Sequence, residues 1–284
     1  MLCKRIIAKI EVKNSKLVKG INLEGLRVLG NPEIFSEVYF RDGIDEIIYN
    51  DVVASLYGRN SILDLIKITA SKILVPLTVG GGIRSLKDIY NVLENGADKV
   101  CINSAAFENP DLINKAAKIF GSSTIVSALE VSKVNDKHFV FSNNGRDYKG
   151  IEVLDWAKKM EQDGAGEILL TSIDRDGTGN GMEIDLINKI ADNVEIPVIS
   201  SGGISNVNHI KTLFQETKSS GVAIASMLHY GYLKQDRVNN IFNSGDTGNL
   251  SFLKSNKNFL NFKNISIKEI KEYLIRYNIK IRNI

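Results

Sequence analysis

The sequence is poor in the residues that would tie it to a metal, a disulfide framework or a polyanion. Its 284 residues include only two cysteines and three histidines. Cys3 and Cys101 lie far apart and His138, His209 and His229 are scattered, so no disulfide scaffold, zinc site or other cofactor is expected. Buried thiols in a reducing compartment are the simpler expectation. The 36 basic side chains nearly cancel the 33 acidic ones, leaving +3 with no basic run, which gives no case for nucleic acid. No segment approaches the roughly 18 uninterrupted apolar residues of a membrane helix. The opening MLCKRIIAKIEVK is broken by charges every few residues and lacks the apolar core of a signal peptide. What remains is a cytoplasmic protein with a small-molecule ligand.

What the sequence does have is an internal repeat. VPLTVGGGI (75–83) returns as IPVISSGGI (196–204), and GIDEIIYND (43–51) as GAGEILLTS (164–172), both 121 residues on. IIAKIEV (6–12) returns as IVSALEV (125–131), and KVCINSAA near 100 has an echo in VAIASM near 224. Each piece is an Ile- and Val-rich run that ends in Gly, Asn, Asp or Ser, followed by a helical pattern such as SLKDIYNVLENGA. Strands are expected near 5–11, 45–50, 75–79, 98–103, 124–130, 167–171, 196–200 and 221–225. Eight strand–loop–helix units in two matching halves predict a single-domain α/β fold over 1–284, a (β/α)₈ barrel of two duplicated half-barrels.

Side chains alternate along a strand, so one parity points into the barrel. Arg5, Glu46, Lys99 and Glu167 then sit inward at strand beginnings, where two cations and two anions can close a ring of ion pairs. That ring is either a polar floor or a gate to a central passage. Ligand chemistry belongs to the opposite face, at the C-terminal strand ends. There Gly81-Gly82 and Gly202-Gly203 open turns that lead into helices, and each neighbours a second small or polar strand end, Asn103-Ser104 and Ala225-Ser226. Backbone N–H groups at such turns favour phosphate, and two equivalent copies predict a ligand phosphorylated at both ends. Between them, Glu11 and Glu130 are the last inward residues of strands one and five. They are expected to face each other as an acid–base pair. Asp51, Asp174 and Asp176 add carboxylates to the rim.

KRIIAKIEVKNSKLVKGINLEGLRVLGNP, GIDEIIYNDVVAS, PLTVGGGIRS, GADKVCINSAA, GAGEILLTSIDRDGTGNG and PVISSGGIS together resemble the cyclase subunit of imidazole glycerol phosphate synthase, the HisF family, up to about Tyr230. The resemblance implies a lyase-type barrel in heterodimer with a HisH-type glutaminase, receiving ammonia through its centre. It makes Arg5, Glu46, Lys99 and Glu167 the ammonia gate and places Asp98 at the glutaminase interface. Gly82, Asn103, Asp176, Gly177 and Gly203 match phosphate-binding positions, Thr171 lies on the same rim, and Lys19 falls on a mobile first loop. The family's catalytic aspartates fall on Glu11 and Glu130, each one methylene longer here, and Lys9 stands inward where a small neutral residue is usual.

These departures favour a paralogue that activates a glutaminase and passes ammonia to a sugar amidotransferase in surface-saccharide (amidino sugar) biosynthesis. The alternatives are a true cyclase of histidine biosynthesis and a non-catalytic regulatory scaffold for a glutaminase. A polar, Asn-rich stretch, 237–264, reads as an insertion after strand eight, on the ligand face. A capping box at Ser266 and Glu269 opens the final helix.

Overall fold

The computed structural model describes residues 3–54, 62–234, 262 and 265–282. In chain order its strands are β1 (Arg5–Lys13), β2 (Lys16–Ile21), β3 (Glu24–Gly30), β4 (Glu46–Asp51), β5 (Leu77–Gly80), β6 (Lys99–Ile102), β7 (Ile125–Val134), β8 (Lys137–Ser142), β9 (Asp147–Glu152), β10 (Glu167–Ser172), β11 (Val198–Ser201) and β12 (Gly221–Ile224). Eight of them pair in parallel in the order β1, β4, β5, β6, β7, β10, β11, β12, and the circle closes between β12 and β1. This is the expected (β/α)₈ barrel, closed and without a free edge.

The helices are α1 (Pro32–Arg41), α2 (Leu63–Ala70), α3 (Leu86–Glu94), α4 (Ser104–Glu108), α5 (Leu112–Phe120), α6 (Val153–Gln162), α7 (Ile184–Ala191), α8 (Val207–Glu216), α9 (Ser226–Lys234) and α10 (Ile267–Arg276). Two of them begin with a full capping box, α3 at Ser85/Asp88 and α10 at the expected Ser266/Glu269. None of the described helices is long and apolar enough to cross a membrane.

Strand parity sorts the apolar residues into two cores. Ile6, Ala8, Ile10, Ile47, Tyr49 and Val100 pack outward against the helices. Ile7, Ile48, Cys101, Val126, Leu169, Ile199 and Ala223 fill the barrel as one inner layer. Burying these side chains removes apolar surface on both faces of every strand, which explains near-continuous Ile/Val runs rather than alternation with polar residues. The inner layer also separates a charged ring at the strand beginnings from the cavities at the strand ends.

Two β-hairpins extend the ligand face, and neither is expected from the strand–loop–helix reading. β1 turns into β2 through Asn14-Ser15, and β7 into β8 through Asn135-Asp136, all four in the left-handed region at φ 50, 57, 48 and 63. Two-residue turns of this kind match the twist of paired strands, and Asn and Asp tolerate the conformation. The second turns, Asn22-Leu23 and Asn143-Asn144, also have positive φ. Both pairs of turns repeat at an offset of 121, so the duplication extends into the hairpins. Lys19 consequently lies on a buried strand rather than a loop. Cys101 is buried as expected, whereas Cys3, just before β1, is exposed. The expected insertion lies, Phe262 apart, outside the described residues; Phe262 stacks on Tyr230 with ring centroids 5.6 Å apart.

Candidate active site

Two cavities open at the strand C-termini, four strands apart around the barrel. The larger, open to solvent, spans about 850 Å³, and its walls include Gly81, Gly82, Asn103, Ser104 and Thr171. The smaller, about 250 Å³, is walled by Asp176, Gly177, Gly202, Gly203, Ala225 and Ser226. The sequence pairs that predict two phosphate cradles therefore meet in space, each at its own cavity. Gly81 and Gly202 have φ 95 and 107, and a Cβ on Gly81 would collide with the Asp51 carbonyl. Only glycine takes these turns without strain, and backbone N–H groups in turns of this kind suit an anion. Asn103 Oδ1 and Asn144 Oδ1, on residues of the larger cavity's wall, are buried without hydrogen-bond partners, which leaves them acceptors to offer a ligand.

Glu11 and Glu130 stand at equivalent register, beside Asn50 on β4 and Thr171 on β10 respectively. Their environments differ sharply. Glu11 is 1% exposed and accepts from Lys19 Nζ at 2.8 and 3.0 Å, while Lys9 Nζ lies 3.3 Å away. Burial alone would raise its pKa, but Lys19 and then Lys9 outweigh it and hold the carboxyl below the ordinary range. Among the described residues, Glu130 accepts only the Gly145 N–H at 2.8 Å. Burial, reinforced by Glu11 and Asp176 and opposed by Gly145 N–H and Lys9, pushes its pKa up to about 7. One carboxyl is thus fixed as the anion and the other can carry a proton near neutrality, the division of labour of an acid–base pair.

Asp176 lines the smaller cavity and is a counter-ion to the lysines. Its carboxylate takes Lys19 Nζ at 2.6 Å, and Lys9 Nζ lies 4.0 Å away. Lys19 is held from both sides: burial would lower its pKa, and Asp176 and Glu11 raise it instead. The hairpin that carries it is latched over the loop after β10, with Asn22 N–H donating to Asp176 O at 2.8 Å and Asn22 Nδ2 to Ile173 O at 2.8 Å. Asn144 Nδ2 of the second hairpin donates to Leu23 O at 3.0 Å and ties the hairpins together. Asn22, Asn144 and Gly145 escape a reading confined to barrel strands, although the Asn-rich turns were a usable signal for both hairpins.

Two rim carboxylates serve the backbone. Asp51 accepts from Val53 and Ala54 N–H at 3.1 and 3.0 Å, and Asp174 accepts from Ser132 Oγ and Lys133 N–H at 2.7 and 2.8 Å. Both brace loops around the mouth.

At the other end of the barrel the four charged residues do close a ring. Arg5 bridges Glu46 at 3.0 Å and Glu167, and Lys99 bridges the same two carboxylates at 2.8 and 3.1 Å. Thr78 Oγ1 adds a donor to Glu46 at 3.0 Å. Burial works to lower the Lys99 pKa, and the Glu46 and Glu167 carboxylates overcome it. Asp98 is exposed at the same end, its carboxylate accepting from Leu77 N–H at 2.8 Å.

Residues 5–234 match the model of a family described as histidine biosynthesis protein. Imidazole glycerol phosphate synthase subunit HisF of Bacillus cereus strain AH187 is 49% identical over 232 residues, 81% of this chain and 92% of that protein. The HisF subunit of strain Q1 gives the same figures, and that of strain G9842 is 48% identical over the same shares. These relatives favour the histidine-biosynthesis reading over the surface-saccharide one that the altered carboxylates suggested. The chain is a HisF-type member of the histidine biosynthesis protein family.

Proposed function

We propose that this chain is a cyclase subunit of an imidazole glycerol phosphate synthase: it docks a glutaminase at the ring end and uses ammonia at the mouth on a ligand phosphorylated at both ends. The observation that carries this reading is an inequivalent carboxylate pair at the strand ends, Glu11 tied to Asp176 of the smaller glycine-lined cavity through Lys19 and Glu130 on the wall of the larger. Glu11, held as the anion, takes a proton from the reacting ligand, and Glu130 supplies one. General acid and base groups of this kind contribute on the order of 10²–10⁴-fold each. The phosphate cradles hold the two ends of the ligand so that its centre lies over the pair.

The ring end suits a partner. Leu74, in the turn before β5, is 90% exposed, and Ile119, at the end of α5, is 62% exposed, both at the end of the barrel where the ring opens. The ring carries two positive and two negative groups and is neutral overall, so a neutral molecule such as ammonia would meet no net charge.

A second reading rests on one observation, the buried Lys9 and the two glutamates at the reacting centre: ammonia leaves this chain for a separate sugar amidotransferase. The discriminating experiment is turnover of the HisF aminoimidazole precursor by the purified chain with ammonium salt. Consumption of precursor, lost in Glu130→Gln, supports the cyclase. A correctly folded, phosphate-binding chain that leaves the precursor untouched refutes it.

A further inference from the structure

Lys9 is the group that the proposed chemistry leaves without a role. It is 3% exposed and lines the larger cavity, two residues before Glu11 on the inward face of β1 and four after Arg5 of the ring. Its backbone is held from outside the barrel. The β1–β12 ladder ends at Ala8↔Ile224, and the Lys9 carbonyl just beyond is 3.1 Å from His229 Nε2. His229 is itself 2.7 Å, through Nδ1, from Tyr39 Oη, and burial followed by Lys19 pushes its pKa down to about 3, so the ring is a neutral, fixed donor to the carbonyl.

The charges around Lys9 can be counted. Glu11 comes from β1, Lys19 from β2, Glu130 from β7 and Asp176 from the loop after β10; Cys101 of β6 completes the wall and is a neutral thiol, its pKa raised to about 12 by burial. Three carboxyls thus face two ammonium groups. Lys19 bridges both oxygens of Glu11 to Asp176 Oδ1, and Lys9 reaches the same two residues, at 3.3 Å from Glu11 Oε1, which it shares with Lys19, and 4.0 Å from Asp176 Oδ2. Buried ions persist only when compensated, so one cation for two carboxylates would leave a net negative charge in this pocket.

We propose that Lys9 is a positioning residue for the reaction: it is the second cation of the buried cluster and compensates the second of the Glu11 and Asp176 carboxylates, so that Glu130 faces a cluster without net charge. The proposal rests on the acid–base reading above. It also gives a physical reason for the longer side chain at position 11, which brings the carboxylate within reach of ammonium groups from two strands at once.

The test is the titration of Glu130 followed by carboxyl-carbon NMR on the full chain without substrate, in wild type, Lys9→Met, and Lys9→Met combined with Glu11→Gln. Removing the cation should move the Glu130 midpoint upward by about one pH unit or more, since a charge this close shifts a carboxyl by that order. The double variant restores the balance of one lysine to one carboxylate beside Glu130, and its midpoint should return toward wild type. In turnover, Lys9→Met should shift the alkaline limb upward by the same interval and lower kcat more than it raises KM. A midpoint that is unmoved or lowered in Lys9→Met, or that fails to return in the double variant, overturns the proposal. Because the titration needs no substrate, a wild-type chain that consumes no precursor would refute the acid–base reading separately from the charge count.

Discussion

Glu130→Gln should make the protein more stable at alkaline pH while removing its activity. The carboxyl is partly buried at the end of the barrel interior, with its pKa raised from the ordinary 4.5 to about 7. A group that binds its proton more tightly when folded opposes folding once it ionises. The cost is absent below the unfolded value, grows as pH rises between about 4.5 and 7, and is complete above that interval. A rise of about 2.5 pH units at 1.36 kcal/mol each amounts to roughly 3 kcal/mol. Glutamine cannot ionise, and its side-chain oxygen can still accept the Gly145 N–H that Glu130 accepts at 2.8 Å. Thermal unfolding of wild type and Glu130→Gln at about pH 5 and about pH 8.5 isolates the effect. The variant should gain on the order of 5–10 °C over wild type at the higher pH and little at the lower. An equal difference at both pH values would mean that Glu130 titrates as an ordinary glutamate, and the acid assignment would lose its physical basis.

Lys19→Met leaves Glu11 and Asp176 sharing Lys9 alone, and should destabilise the fold by about 3–5 kcal/mol in denaturant titration. Gly81→Ala forces a side chain into a positive-φ turn against the Asp51 carbonyl. Inorganic phosphate should then be lost from the Gly81–Gly82 cradle and kept at the Gly202–Gly203 cradle in a phosphate-soaked crystal; loss at both would deny the two sites their independence. Glu46→Gln unbalances the ring, so glutamine-dependent turnover in the complex should fall while ammonium-supported turnover, which enters at the open mouth, persists.

The barrel was legible because its duplication preserves spacing: Pro76 and Pro197, or Gly82 and Gly203, stand at the same offset, and the apolar runs between them can only be strands. Parity then placed Arg5, Glu46, Lys99 and Glu167 in one ring and brought each glycine pair beside its polar neighbour. The hairpins were missed because β2 and β8 carry Lys16, Lys19, Lys137 and His138, charges that blur a strand pattern, and their turns use Asn rather than Gly. The error had a chemical consequence, since a loop lysine and a strand lysine differ in what they can hold. Lys19 fixed on β2 clamps Glu11 and Asp176. No periodicity could reveal that Glu11 and Glu130, symmetric in sequence, are asymmetric in charge. That depends on Lys9 and Lys19 lying against one of them and a backbone N–H against the other.

The most direct measurement is the stoichiometry of the reconstituted complex with its HisH-type glutaminase, following glutamine hydrolysis and consumption of the aminoimidazole precursor together. One precursor should be consumed for each glutamine hydrolysed, with both falling in Glu130→Gln. Glutamine hydrolysis that is stimulated by this chain while ammonia accumulates and the precursor remains would contradict the cyclase reading.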